Sequence, residues 1–243
     1  MTALMHSCKI FTARSAETAR ILIDAGASVD EKDMHGRTAL MYAAPKYFND
    51  SASATVKTLI ERKANVNEIN DDGQTALMIA SRRYDEENVK LLLAAGASPN
   101  VRDNHGQTAL MHACQSMPPI RVELSVKAGA GASINAKDVR GWTALMYDAR
   151  RVYAAEEPAV MIAAGANVNE VNEEGKTSLM LAAETGSLGI VRTLLDAGAT
   201  TTINSRDKEG KTALMLALFN REKKLERIQL LLRAGADARI NDQ

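Results

Sequence analysis

The sequence predicts an all-α fold, a solenoid of short helix pairs joined by turns, and three observations predict it. The string Thr-Ala-Leu, once Thr-Ser-Leu, recurs with its threonine at Thr2, Thr38, Thr75, Thr108, Thr143, Thr177 and Thr212. Successive separations of 36, 37, 33, 35, 34 and 35 residues scatter upward from a base of 33, and self-similarity at such a period marks a repeat architecture. A Gly-Ala pair returns at Gly26, Gly96, Gly131, Gly165, Gly198 and Gly235, with Lys63-Ala64 in the second unit. It precedes the next threonine by 12 residues in five of six cases, and only Gly198 to Thr212, at 14, departs. Between these landmarks the apolar residues keep helical spacing.

Residues 172 to 204 give the cleanest unit. Asn172-Glu173-Glu174-Gly175 is a turn signal, with glycine where positive φ is needed. Thr177 stands where a hydroxyl caps a helix N-terminus. Leu179, Ala182 and Ala183 then mark one face of a first helix whose small residues admit a close neighbour. Gly186 ends it, Ile190, Val191, Leu194 and Leu195 form the stripe of a second helix, and Gly198 is the expected left-handed residue beyond its end. Two such helices cannot bury their stripes alone, so the units must stack.

The segment DMHGRTALMYAA, Asp33 to Ala44, resembles the ankyrin repeat motif D-x-x-G-x-T-P-L-H-x-A-A, and the likeness covers essentially the whole chain. It divides a single domain, 1-243, into seven repeats at approximately 1-33, 34-70, 71-103, 104-138, 139-172, 173-207 and 208-243. Alanine stands where that family has proline, and methionine (Met41, Met78, Met180) where it has histidine; methionine fills the same inter-repeat space as a pliable apolar side chain. Asp148 in a small-residue slot, Pro158 near a second helix and Pro118-Pro119 between helices mark the fourth and fifth units as the most worn. Met1 just before a capping threonine and Asn241-Asp242-Gln243 short of a turn glycine place both ends inside the same turn, as expected of a fragment or of an array with unusual ends.

Composition narrows the function. Thirty Lys+Arg against 30 Asp+Glu give no broad positive field, which argues against nucleic acid as a partner. Every apolar run is broken by charge or glycine within a helix length, so no membrane span is expected. The start, MTALMHSCKI, has no secretory pattern, and two cysteines, Cys8 and Cys114, cannot build a disulfide scaffold; a cytoplasmic, reducing location is expected. No cofactor and no metal are expected, because His35 and His105 sit two repeats apart, about 20 Å at the usual helix spacing. The run AGAGA, Ala128 to Ala132, lacks the strand and lysine of a phosphate loop and reads as a helix C-cap. No Ser-His-Asp group recurs where stacking would assemble it, so no catalytic residue is named and the chain is not expected to be an enzyme.

Counted from each capping threonine as zero, aromatics fall at Trp142 (−1), Tyr42 and Tyr147 (+4), Phe219 (+7), Phe11, Tyr47 and Tyr84 (+9), and Phe48 and Tyr153 (+10), none in a second helix. In the family resembled, turn tips and first helices line a concave groove that holds partners. Position +4 lies about 200° around the helix from the core leucine at +2 and should point away from the core; there stand His6, Tyr42, Ile79, His112, Tyr147, Leu181 and Leu216. Trp142, on a turn tip where other repeats have Arg37, Gln74, Gln107, Lys176 and Lys211, resembles an interface anchor. The candidate partner-binding residues are therefore Tyr42, Tyr147, Trp142, His112 and Ile79, with the turn residues Arg140 and His105. The expected function is a non-enzymatic scaffold or adaptor, an elongated monomer about 70 Å long at one helix spacing per repeat, whose unsealed ends could associate end to end. The alternative class is the substrate-targeting fragment of a larger enzyme, or of an effector delivered into a host cell.

Overall fold

Each repeated threonine caps a helix. In the computed structural model, Oγ1 of Thr2, Thr38, Thr75, Thr108, Thr143, Thr177 and Thr212 accepts a bond of 3.2 to 3.4 Å from the backbone N–H three residues on, always a methionine. This satisfies one donor that a helix start otherwise leaves open. Met5, Met41, Met78, Met111, Met146 and Met180 are at most 3% exposed, which puts methionine in the core role expected of it. The structure describes all residues except 11–13, 46–50, 84, 116–121, 128, 152–156, 186, 220–222 and 243, and no side chains at 51, 52, 124, 125, 127 and 157. The expectations for Phe11, Tyr47, Phe48, Tyr84, Pro118, Pro119, Tyr153 and Gly186 lie outside the described residues.

The described residues form two compact units, Met1–Ala130 and Gly131–Gln243. The first contains α1 (Ala3–Lys9), α2 (Ser15–Asp24), α3 (Ala39–Ala43), α4 (Ser51–Glu61), α5 (Ala76–Arg82), α6 (Glu86–Ala94), α7 (Ala109–Gln115) and α8 (Val122–Lys127). The second contains α9 (Ala144–Ala149), α10 (Glu157–Ala163), α11 (Ser178–Thr185), α12 (Leu188–Asp196), α13 (Ala213–Leu216) and α14 (Lys224–Arg233). Within each unit the first helices of neighbouring repeats pack on one another, α1 on α3, α3 on α5 and α5 on α7, then α9 on α11 and α11 on α13. The second helices form a parallel row, α2–α4–α6–α8 and α10–α12–α14. The core lies between the rows and is aliphatic: Leu40, Leu59, Leu77, Leu92 and Leu110 in the first unit, Leu145, Leu179, Ile190 and Leu194 in the second. Pro158 sits in the first turn of α10, where the missing N–H costs nothing.

Second helices end as expected, on left-handed residues at Gly26, Gly96, Gly165, Gly198 and Gly235, with Lys63 forced into the same region at φ 65°. The fourth repeat corrects the reading of its landmark. The left-handed residue is Gly129, at φ 102°, and Gly131 belongs to a 3₁₀ turn, Ala130–Ser133. Ala199–Thr202 forms the same turn after Gly198. Both intervals to the next threonine are therefore 14 residues, and the spacing that looked exceptional in the sixth repeat occurs twice.

An asparagine ladder, not foreseen in the sequence, ties each second-helix end to the next repeat. The side-chain amides of Asn67, Asn100, Asn135, Asn169 and Asn204 donate to the carbonyls of Gly96, Gly129, Gly165, Gly198 and Gly235 at 2.9 to 3.4 Å. The same side chains also accept: Asn67 from the Ser98 N–H, Asn135 from the Asn167 N–H, Asn204 from the Asp237 N–H, and Asn169 from the Thr202 hydroxyl. These bonds give carbonyls at the helix ends, which the helix itself leaves open, a protein partner in the neighbouring repeat.

Candidate partner-binding site

The turn before each first helix is a finger organised by one side chain. Asp33, Asn70, Asp103, Asp138, Asn172 and Asp207 stand five residues before their threonines, and Oδ1 of each accepts the backbone N–H groups two and four residues on at 2.7 to 3.1 Å. Fingers also bond to their neighbours inside each unit, Asp71 N–H to His35 and Asn104 N–H to Asp72 in the first, Glu173 N–H to Arg140 and Lys208 N–H to Glu174 in the second.

The finger's second oxygen explains position +4. The Tyr42 hydroxyl donates to Asp33 Oδ2 and the Tyr147 hydroxyl to Asp138 Oδ2, each at 2.5 Å, and His112 Nε2 lies 2.9 Å from Asp103 Oδ2. Burial pushes the Asp33 carboxyl up, yet the bonds from Tyr42 and from the N–H groups of Arg37 and His35 outweigh it and hold the group at about 2. Asp103 is likewise below its ordinary value, its burial offset chiefly by His112. Burial, then the neighbouring Asp138, pushes the Tyr147 phenol up to about 12.

A second pairing closes the surface. The finger residue at −1 meets the first-helix residue at +7: Gln115 donates to Gln107 at 3.2 Å, Lys176 to Glu184 at 3.2 Å, Arg150 stands 5.3 Å from the Trp142 ring centre and Lys211 5.3 Å from that of Phe219. Positions −1, +4 and +7 thus form one face in each unit, and +7 was not recognised in the sequence because its residues share no chemical type.

The expected outward stripe is corrected by this packing. Trp142 is 3% exposed, stacked 5.1 Å from Tyr147, with Arg140 5.5 Å from its ring centre, so it has almost no surface to offer as an interface anchor. Tyr147 and His112 are buried at 7% and 4%, as are Leu181 and Leu216, because the finger folds over the first helix and draws +4 beneath it. Tyr42 and Ile79 are half-buried, while His105 and Arg140 are exposed on their fingers. Asp148 is fully buried and lies 3.4 Å from Arg151, which supplies the charge its small-residue slot lacks.

Of the candidates, the structure brings Tyr42, Ile79 and His112 together. They share a groove of about 310 Å³ in the first unit with Lys9, Arg37, Met41, Pro45, Gln74, Met78, Arg82 and Arg83. Trp142, Tyr147 and Arg140 form a separate cluster in the second unit, where Arg140 donates to the Tyr147 hydroxyl at 2.8 Å.

The model of ankyrin repeats in sets of three copies matches residues 1–67, 46–124, 121–199 and 152–242. The chain belongs to the ankyrin repeat family. Among solved structures, the ankyrin array resembles the human ASB11 ankyrin repeat domain with a TM-score of 0.77 and 21% identity over 98% of this chain and 99% of that one, a likeness of fold. It also resembles a chain of the complex between the predatory endopeptidase Bd0816 from Bdellovibrio bacteriovorus and immunity protein Bd3460, with a TM-score of 0.65 and 25% identity over 81% of this chain and 98% of that one. A comparison with curated proteins finds no match. Ankyrin repeats are generally protein–protein interaction modules. Among the described residues, no helix is long and apolar enough to cross a membrane.

Proposed function

We propose that this ankyrin array is a non-enzymatic binding module that holds a partner protein on the face made by its fingers and first helices. The observation that carries this reading is the concave groove of residues 1–130, whose floor is set in advance by the finger bonds of Tyr42 and His112. A preorganised surface loses little entropy on binding. Tyr42, Ile79 and His105 of residues 1–130 make contact in this reading, Arg140 is a separate candidate on residues 131–243, and His112, Tyr147 and Trp142 hold fingers in place. The test is affinity capture with the whole chain against an Ile79→Ala, His105→Ala variant whose circular dichroism matches wild type. A protein retained by wild type and lost from the variant is the expected result, and equal retention by both would reject the face. The Bd0816 complex with its immunity protein supports a second reading in which the partner is itself an enzyme. Inhibition of the captured partner's activity by the whole chain separates the two readings.

A further inference from the structure

The groove of residues 1–130 is charged on one side of the scale only. Its lining carries Lys9 from the first repeat, Arg37 from the second, and Arg82 and Arg83 from the third, and no carboxylate. Beneath the floor lie Asp33 and Asp103, each already engaged by finger N–H groups and by Tyr42 or His112. Lys9, Arg37 and Arg82 are exposed, and among the described residues none of the three forms an ion pair with a carboxylate. This concentration stands out in a chain with 30 basic and 30 acidic residues. The same −1 and +7 positions in residues 131–243 are mixed instead: Lys176 is neutralised by Glu184, and Trp142 and Phe219 occupy two of the others.

Resting on the binding-module reading, we propose that this groove takes an acidic, leucine-bearing peptide segment of the partner protein. The half-buried Tyr42 and Ile79 offer the apolar part of the floor between the cations, backed from beneath by the buried Met41 and Met78. The volume of about 310 Å³ suits two or three aliphatic side chains, near the lower end for a binding cleft. Guanidinium groups bind carboxylates with two parallel hydrogen bonds, so Arg37 and Arg82 select glutamate or aspartate flanking those side chains. Like-charged segments are repelled at the same rim, which gives the groove specificity as well as attraction.

Fluorescence anisotropy with the whole chain tests the assignment. The probe is a labelled peptide of roughly ten residues, long enough to cross neighbouring repeats, with glutamates flanking two leucines. The controls are the same peptide with lysine for glutamate, and a single-stranded oligonucleotide. The acidic peptide is expected to bind, to weaken as salt rises, and to lose about tenfold or more in affinity in the Arg37→Glu, Arg82→Glu variant. The lysine peptide is expected not to bind. An Arg192→Glu, Arg206→Glu variant changes net charge equally and is expected to bind like wild type. Equal binding of both peptides, no binding of the acidic one, unchanged affinity in the rim variant, or an oligonucleotide binding as tightly as the peptide overturns the proposal. If the acidic peptide fails while the whole chain still captures a partner through its fingers, only the groove's chemistry is wrong; loss of capture as well removes the broader reading.

Discussion

Side chains nine residues apart covary within this one chain. Finger aspartates pair with a polar residue at +4, Asp33 with Tyr42, Asp103 with His112 and Asp138 with Tyr147, whereas finger asparagines face aliphatic side chains, Asn70 with Ile79 and Asn172 with Leu181. A buried carboxylate keeps an oxygen that needs a donor, and leaving it without one costs about 1 to 3 kcal/mol. The sixth finger breaks the rule: Asp207 faces Leu216, and Asp207 Oδ2 has no hydrogen-bond partner. Leu216→Tyr should supply the donor and raise stability by about 1 kcal/mol, read as a higher urea midpoint; an unchanged or lower midpoint would mean that packing at Leu216 outweighs the bond. The same pairs set the response to acid. Asp33 and Asp103 have folded values below their unfolded ones, so the unfolded chain binds more protons between them. Their contribution is complete above the unfolded value of 3.8 and declines as pH falls toward about 2, the folded value of Asp33. Tyr42→Phe should therefore narrow the difference in urea midpoint between neutral and strongly acid solution, and an acid limb identical to wild type would refute that assignment.

At the scale of the element, glycine is required for two separate reasons, and the two give substitutions of opposite sign. After α4, Lys63 occupies the left-handed position that other repeats give to glycine. At Gly26, Gly96, Gly165, Gly198 and Gly235 an added Cβ would meet nothing within 4 Å, so that position asks only for backbone freedom. Lys63→Gly is expected to stabilise by about 0.5 to 1 kcal/mol, the strain relieved less the entropy glycine adds to the unfolded chain; thermal melting checks it, and a lower Tm would contradict it. On the fingers, Gly73 combines positive φ with a Cβ that would stand 2.9 Å from the Asn104 backbone nitrogen and 3.1 Å from the Asp103 Cα. Gly73→Ala should cost about 2 kcal/mol or more by adding backbone strain to a clash that must push neighbouring fingers apart. The helices and fingers were legible in the sequence because a capping hydroxyl and a turn glycine act within a few residues of themselves. Gly129 was misplaced because AGAGA offers two glycines in one local context, and the bond from Asn100 of the preceding repeat to the Gly129 carbonyl, a tertiary contact, chooses between them. Trp142 was misread for the complementary reason: its turn position is visible in the chain, but the pairing of −1 with +7 that buries it is a tertiary contact.

Over whole units, stability follows from how many neighbours each repeat has. Residues 131–243 contain a repeat flanked on both sides, since α11 packs on α9 and α13, and α12 on α10 and α14. The repeat of α13 and α14 has a described neighbour on one side only, and Leu218, Phe219, Leu225 and Leu232 are 43% to 74% exposed. A small cleft lined by Leu214, Met215, Ile228 and Ile240 opens beside Leu218 and Leu232. Arg227, fully buried in this repeat, has its charged form disfavoured by burial and donates to the Ala217 carbonyl at 2.9 Å, a costlier filling than the Ile190 and Leu194 of the preceding repeat. In a stack whose repeats touch only their neighbours, opening the repeat of α13 and α14 breaks one of the interfaces described, and opening the flanked one breaks two. Backbone amides of Lys224–Arg233 should therefore exchange with solvent faster than those of Leu188–Asp196, by about tenfold if one interface contributes on the order of 1.4 kcal/mol. Hydrogen exchange followed by mass spectrometry resolves the two helices. Equal rates would mean that residues 131–243 open as one cooperative block, and the energy attributed to neighbour interfaces would then have to be assigned to the unit as a whole.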